Sequence, residues 1–534
     1  MHLVYLQEGC PYGVEALRER CFGKARPWAG TEADAFFGRL ADAMNRGAKI
    51  VRRSEGRYTF EFVGLFDFTD DVTRENLTFF FWPKFVSKGT LERFEREDGV
   101  ADRDEARNAI LLAIDRCHKE MRLPDVSGDR PDAEKESLLE LAVRVLRDYL
   151  ENGVYTVRPR ELEHNGQGEI DWNETLDRYQ PVFLKGPSAR SRPRPCYVDT
   201  ATEISVPDEN HYLTRLHNCL VTTWGRKLED LGLASVLRAN VPLLSEDELD
   251  YFGDPEEQLD RIDKELGVQF VTKSRTTLTL MRELIERASE SETELRDQLS
   301  FGMNKAEHLW EAACAAVLGS ELDEKIGDCG LVWSQDITFR DYMPRPIWKP
   351  IGQGSSESPD AKKDAYDLES KQSGWRLDFI RTYPPKREPT TPVTKLVILD
   401  AKYYTVSWDK NNQTISGQPG IGDIAKQIFY QKAFEDLLRI KREDPAIDFV
   451  NAFLFPKDDG DSAEIALGET VHLGWTEPQR SAAAFSDVNL FTVYIPGIKL
   501  LEKYANGIIE DDWFEKIATG QQVAPLMPLA KGAT

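Results

Sequence analysis

The apolar positions change their period along the chain, and those changes divide it into three regions. Residues 1–130 mix two periods. Alternation in "KIVRRSEGRYTFEFVGLFDF" predicts a hairpin turning at Glu55 and Gly56, and "NLTFFFWPKFV" predicts a third strand dense in phenylalanine. The charged stretch "TLERFEREDGVADRDEARNAILLAIDRCHKEM" leads into an amphipathic helix. A polar segment, "LPDVSGDRPDAEKES", then closes an α+β N-terminal domain suited to partner docking or DNA contact.

Residues 131–290 read as mostly helical. "SLLELAVRVLRDYLENG" is a helix with a glycine stop at Gly153, and "HYLTRLHNCLVTTWGRKLEDLG" is another. Between them "VYTVRPRELEHNGQGEIDW" predicts a short hairpin, and a helix followed by a small hairpin is the plan of a winged helix. Residues 291–534 alternate helices with strands. The helix "ELRDQLSFGMNKAEHLWEAACAAVLG" opens the region. Strands "LVWSQDITFR", "WRLDFIRTY" and "KLVILDAKYY" follow, then the helix "IGDIAKQIFYQKAFEDLLRIKRED" and the strand "FVNAFLFP". That order predicts an α/β sandwich with a mixed central sheet flanked by helices, in a chain that is α+β overall. Residues 353–373, polar throughout, read as an insertion between two strands.

Composition narrows the class. A chain of 534 residues with 41% hydrophobic positions can bury several cores. No window has the length and apolarity of a membrane span, and the first residues lack the pattern of a signal peptide, so a cytoplasmic protein is expected. The 7 cysteines show no C-x-x-C spacing, which argues for reduced thiols and against structural zinc. A net charge of −24 repels nucleic acid over most of the surface. Any DNA binding then falls to a local basic patch or to a partner. The clearest basic run is 185–195, "KGPSARSRPRP", which reads more readily as a solvated loop than as a DNA contact.

The candidate chemistry lies in the third region. In "KLVILDAKYY" an apolar strand runs into Asp400, Ala401 and Lys402. Strand residues i and i+2 share a face, so Asp400 and Lys402 stand side by side at the strand's end. Asp378 sits in "WRLDFIR", on the preceding strand. A lone D-x-K is more readily a surface ion pair than half a catalytic site. An acid on each of two strands, with a lysine two residues past the second, suits phosphodiester hydrolysis. Two carboxylates and the carbonyl of Ala401 can bind Mg²⁺, with Mn²⁺ as a substitute, and the ion offsets phosphate charge and acidifies water. Lys402 can orient or deprotonate that water and stabilise developing charge.

Two helices supply further candidates. Glu311 lies beside the apolar stripe of "LWEAACAAVL", with Glu307 one turn earlier as its competitor. Asp423, Gln427, Tyr430 and Gln431 share a face of the later helix. Gln427 could bond Lys402 or a phosphate, and Tyr430 could pack the lysine stem or touch DNA. "WPKF" at Trp82 to Phe85 mimics the end of the catalytic strand but has proline in place of the acid, and reads as a structural strand end.

A helix glutamate, D…D-x-K and a helix with Q and Y resemble the PD-(D/E)xK nuclease superfamily. The wider wording, "LWEAACAAV", "LDAKYY", "PGIGDIAKQIFYQKAF", "NAFLFP", "FFFWPKF" and "GEIDWNETL", resembles the LlaJI-type restriction endonucleases, relatives of the McrC nuclease subunit. The resemblance implies the DNA-cleaving subunit of a restriction system acting in anti-phage defence, working with a GTP-hydrolysing AAA+ partner similar to McrB. It also implies double-stranded DNA as substrate, self-association for cutting both strands, and a cognate methyltransferase in the same system. Carried over by position, it puts the metal on Asp378 and Asp400, the lysine at Lys402, the helix acid at Glu311 and the glutamine at Gln427. Tyr430 stands three residues after Gln427, where the related pattern has four. No nucleotide-binding motif is present, so NTP hydrolysis is expected from another chain. Two other readings stand beside this one. In the first the nuclease fold is a scaffold that stimulates a partner NTPase. In the second it is a standalone nuclease for other nucleic acids.

Overall fold

In the computed structural model, the apolar runs near the C-terminus assemble into one five-stranded mixed sheet. The structure describes residues 3–23, 30–45, 49–122, 137–184, 192–205, 207–238, 240–294, 298–331, 336–343, 347–348, 368–369, 376–385, 392–409, 414–439, 447–460, 462–471, 473–474, 483–484 and 490–520. The elements around the sheet begin with helix α1 (Ala306–Val317) and strands β1 (Phe379–Tyr383) and β2 (Lys395–Ala401). Helix α2 (Ile421–Arg439) leads to β3 (Asp448–Lys457), then β4 (Ala466–Val471) and β5 (Leu490–Pro496). Helices α3 (Gly497–Ala505) and α4 (Asp511–Thr519) follow.

The strand order is β1-β2-β3-β5-β4. β1 runs antiparallel to β2, β2 parallel to β3, β3 parallel to β5, and β4 antiparallel to β5. The parallel step from β2 to β3 needs a crossover, and α2 supplies it. Successive strand residues face opposite sides, and both sides are covered. Ile380, Leu396 and Ile398 share a core with Tyr430 and Phe434 of α2. Phe379 and Tyr383, the alternate positions, meet Phe514 of α4 with ring centroids 6.3 and 6.4 Å apart. This is the expected sandwich, a mixed sheet flanked by helices.

The described residues gather into two units. One comprises those within 3–66, 79–131 and 302–534, and the other those within 67–78 and 132–301. In the first unit the N-terminal residues pack directly on the C-terminal region. Thr90 Oγ1 donates to Asp458 Oδ2 at 2.6 Å, and Tyr504 of α3 donates to Glu120 at 2.5 Å. The predicted hairpin is present, with strands Val51–Ser54 and Arg57–Phe60 joined at Glu55 and Gly56. Both turn residues have positive φ, 52° and 73°, as a two-residue type I′ turn requires. Strand Asn76–Trp82 is also where the pattern puts it, with Phe79, Phe80, Phe81 and Trp82 all buried.

In the second unit, Ser137 and Glu140 form a capping box that starts helix Leu138–Asn152, and Gly153 ends it. Helices Tyr212–Asp230 and Thr272–Glu294 pack against that helix, and Pro255–Val268 packs on Thr272–Glu294, around a core that includes Leu216, Leu220, Ile262, Met281 and Leu284.

Three expected elements differ. The helix predicted to open the third region begins only at Ala306, because residues 298–303 form a strand with Phe301 and Met303 buried. In "LVWSQDITFR" the described part holds an isolated bridge at Thr338 and the short helix Phe339–Tyr342, whose capping box stops a strand from continuing. The predicted hairpin after Gly153 is not closed on itself: Arg160–His164 and Glu169–Ile170 both pair with Ala201–Ser205, which lies between them. Most of the basic run and of the 353–373 insertion, and the polar segment at 123–136, fall outside the described residues. Among the described residues no helix is long and apolar enough to cross a membrane.

Candidate active site

Strand β2 is buried from Leu396 to Ala401, and that burial carries Asp400 with it, 2% exposed. The antiparallel register pairs Phe379 with Leu399. One step further along the same ladder sets Asp378 opposite Asp400. Asp378 therefore sits just before β1 rather than inside it. Directly opposed residues bring their Cβ atoms to about 4.5–5.5 Å, and like charges there are destabilising. Asp378 Oδ2 accepts a hydrogen bond from the Ala401 N–H at 3.2 Å. A strand residue points its N–H and C=O to the same edge, so the Ala401 carbonyl also faces the Asp378 side.

Lys402 follows directly. Its backbone N–H donates to Leu454 O of β3 at 2.9 Å, which fixes the start of the side chain. Its Nζ lies 2.8 Å from Asp400 Oδ2 and 3.2 Å from Asp423 Oδ1. Asp423 is in the first turn of α2, and its other oxygen accepts from the Gly420 N–H at 3.2 Å. The ammonium is thus held between the end of the strand and the start of the helix.

Electrostatics follow from this crowding. Burial, and then Asp378, push the Asp400 carboxyl up to about 7, against the pull of Lys402. Burial and then Glu311 raise Asp378. Burial also lifts Glu311 to about 7, with Lys402 opposing and Asp400 and Glu307 adding. For Lys402, burial works against the charge, but Asp400 and Asp423 outweigh it and hold the ammonium above the usual lysine value. Glu307 is exposed, whereas Glu311 is half-buried and feels Lys402, Asp400 and Asp378, so of the two helix acids Glu311 faces the cluster.

The α2 residues take roles that differ from the expected ones. Gln427 is fully buried, but neither its Oε1 nor its Nε2 has a hydrogen-bond partner among the described residues. The contact it was expected to make with Lys402 is made by Asp423, which lies one turn nearer the helix start and so beside the strand end. Tyr430 is fully buried and touches no solvent; its hydroxyl donates to the Arg376 carbonyl, two residues before Asp378. It anchors the backbone that delivers Asp378. Asn451 is a lone polar residue in the apolar run "FVNAFLFP" with no pattern around it to mark a role. Its Nδ2 donates to Gln427 O at 3.0 Å and to Gln431 Oε1 at 3.3 Å, tying α2 to β3.

Whether these residues suit a divalent ion can be judged from their own unmet needs. Two carboxylates are forced face to face by register, and Asp400 Oδ1 has no hydrogen-bond partner among the described residues. Two buried carboxylates this close are a pair that a bound cation can relieve. Among the described residues no group of three or more His, Cys, Asp or Glu side chains is spaced to hold a metal, so the side-chain donors are a pair, with Glu311 at electrostatic range. Two carboxylates, one carbonyl and waters form a hard-oxygen set of the kind Mg²⁺ accepts.

Known proteins resemble this chain at three levels. The cryo-EM structure of the Thermococcus gammatolerans McrBC complex matches with a TM-score of 0.23 and 12% identity over 59% of this chain and 88% of that one, too slight a likeness to bear on fold or function. The "Type II restriction enzyme BsuMI component YdjA" of Bacillus subtilis (strain 168) is 25% identical over 426 residues, 78% of this chain and 77% of that protein. The model of the LlaJI restriction endonuclease family matches residues 125–478, more than half of the chain and the whole of the D…D-x-K constellation. The chain belongs to the LlaJI restriction endonuclease family.

Proposed function

We propose that this protein is the Mg²⁺-dependent DNA endonuclease subunit of a restriction system, cutting phosphodiester bonds at the end of β2. The observation that carries this is the register: Asp378 falls opposite Asp400, and Lys402 reaches back to within 2.8 Å of Asp400. A retired site has no reason to keep two buried, mutually repelling carboxylates. Asp378, Asp400 and the Ala401 carbonyl would hold Mg²⁺, or Mn²⁺ in its place. When bound, the ion offsets charge on the scissile phosphate and lowers the pKa of water.

The chain's own groups do the rest. Lys402, kept charged between Asp400 and Asp423, places a positive charge where negative charge develops. Glu311 completes the acidic wall, and Gln427 holds a buried amide free for a water or a phosphate oxygen. Tyr430 sets the approach of Asp378 through the Arg376 carbonyl. The relative's name describes a component, which supports a division of labour between polypeptides. We assign NTP hydrolysis to a McrB-like AAA+ GTPase partner, self-protection to a cognate methyltransferase, and double-strand cutting to paired copies of this chain on double-stranded DNA.

The test is plasmid cleavage by the full chain with Mg²⁺, with and without the partner NTPase and GTP, on methylated and unmethylated DNA. Cleavage should vanish in Asp400→Ala and in Lys402→Ala. Wild-type rates in both variants would show Asp400 and Lys402 to be an ordinary ion pair.

A further inference from the structure

The strand end that carries Lys402 is held by a residue from the far end of the sequence. After Ala401 the backbone leaves the sheet, and residues 402–406 have no regular structure of their own. Tyr403 turns inward, 5% exposed, and its hydroxyl donates to Glu8 Oε2 at 2.6 Å. The same oxygen accepts the Lys84 N–H at 3.1 Å. Glu8 itself is 6% exposed and follows directly on strand Leu3–Gln7. The ammonium of Lys84 lies 4.3 Å from the centre of the Tyr403 ring, and Phe85 meets that ring edge-on at 6.3 Å. Gln7 completes the joint by donating from Nε2 to Val86 O at 2.6 Å, which fixes the loop bearing Lys84 and Phe85. "WPKF", the strand end with a proline in place of an acid, is thus one wall of the socket that receives Tyr403.

A buried carboxylate adds nothing to an apolar core and is desolvated at a cost, so its use lies in the geometry that it fixes. Here it fixes the neighbour of the catalytic lysine. On one side Lys402 is pinned by Leu454; on the other, the Tyr403 side chain ties the segment down before Tyr404 emerges, 37% exposed. We propose that Glu8 is a positioning residue of the nuclease site: through Tyr403 and Lys84 it sets where Lys402 stands relative to Asp400. The N-terminal strand then acts on catalysis without touching DNA or metal.

This rests on the nuclease reading for its activity arm and on none of it for its second arm. The full chain is prepared as wild type, Glu8→Ala, Glu8→Gln and Tyr403→Phe. Plasmid cleavage gives kcat and KM. Acylation of Lys402 by an amine reagent, read by peptide mass spectrometry, reports how well the side chain is held, whether or not the protein cuts. In Tyr403→Phe and Glu8→Ala, kcat should fall on the order of 10–100-fold, as a small misplacement of a reacting group costs, with KM unchanged. Lys402 should label severalfold faster. Glu8→Gln keeps an acceptor for both donors and should lie nearer wild type than Glu8→Ala in both measurements. Should Glu8→Ala fail to fold, Tyr403→Phe, which loses one hydroxyl, decides alone. Wild-type labelling in Tyr403→Phe overturns the proposal whatever the activity. Faster labelling in a chain whose wild type never cuts DNA upholds the joint and removes the nuclease reading instead.

Discussion

Replacing Asp400 with asparagine should make the metal-free protein more stable while abolishing cleavage. The Asp400 carboxyl has a pKa of about 7 in the folded chain against an ordinary 3.8, because burial and Asp378 disfavour its charge more than Lys402 favours it. A folded-state pKa above the unfolded one means that the folded chain binds the extra proton between those two values. Stability is therefore lost as pH rises through that window, with none of the penalty present below it and all of it above about pH 7. A gap of about 3 pH units at 1.36 kcal/mol each puts the penalty on the order of 4 kcal/mol. The side chain is 2% exposed, so solvent screens little of this. Asparagine keeps the shape without the charge. In EDTA at pH 8 the variant should resist urea better than wild type by on the order of 4 kcal/mol, and near pH 3 the two should coincide. Tryptophan fluorescence follows both transitions. Adding Mg²⁺ at pH 8 should stabilise wild type and leave the variant unchanged. An equal gap at both pH values, or a variant weaker than wild type at pH 8, would refute the reasoning.

Other outcomes follow from contacts already described. Tyr430→Phe removes the hydrogen bond to the Arg376 carbonyl and should cost about 0.5–1.5 kcal/mol in urea unfolding, together with a drop in kcat as Asp378 loses its anchor. Asp423→Ala removes one of the two carboxylates on Lys402 at a half-exposed position. Cleavage should fall with a stability loss of only about 1 kcal/mol, and an unchanged rate would show that Asp400 alone suffices. Ser137→Ala breaks the capping box of helix Leu138–Asn152 and should lower stability by about 0.5–2 kcal/mol, checked by denaturant titration against Glu140→Ala.

The sequence made some of this architecture plain and left the rest hidden. Asp400 and Lys402 could be placed together because a period of two fixes which strand residues share a face. The face of α2 toward the sheet was equally readable, so Gln427 and Tyr430 lie inward as their spacing requires. What each meets there depends on other strands. The hydroxyl of Tyr430 finds a carbonyl near Asp378, and Asp423 reaches Lys402 because of where β2 stops. The pairing of Asp378 with Asp400 is a matter of register across a long loop, which neither strand encodes locally. The strand at 298–303 is indistinguishable from helix in the sequence because a short apolar run satisfies both periods. The third strand that separates Arg160–His164 from Glu169–Ile170 comes from some thirty residues further on, beyond the reach of any hairpin signal.

One unit draws its residues from 3–66, 79–131 and 302–534, so the ribosome delivers it in instalments. At about 5–20 residues per second, the 170 residues from 132 to 301 separate the second instalment from the last by on the order of 10–30 s. During that wait the socket around Glu8 has no Tyr403 to fill it. The segments bearing Asp378 and Asp400 do not yet exist. Synthesis thus imposes an order in which cutting comes last. A polypeptide arrested anywhere before β2 carries no complete pair of acids, so under the proposed nuclease reading a truncated product would be unable to cut.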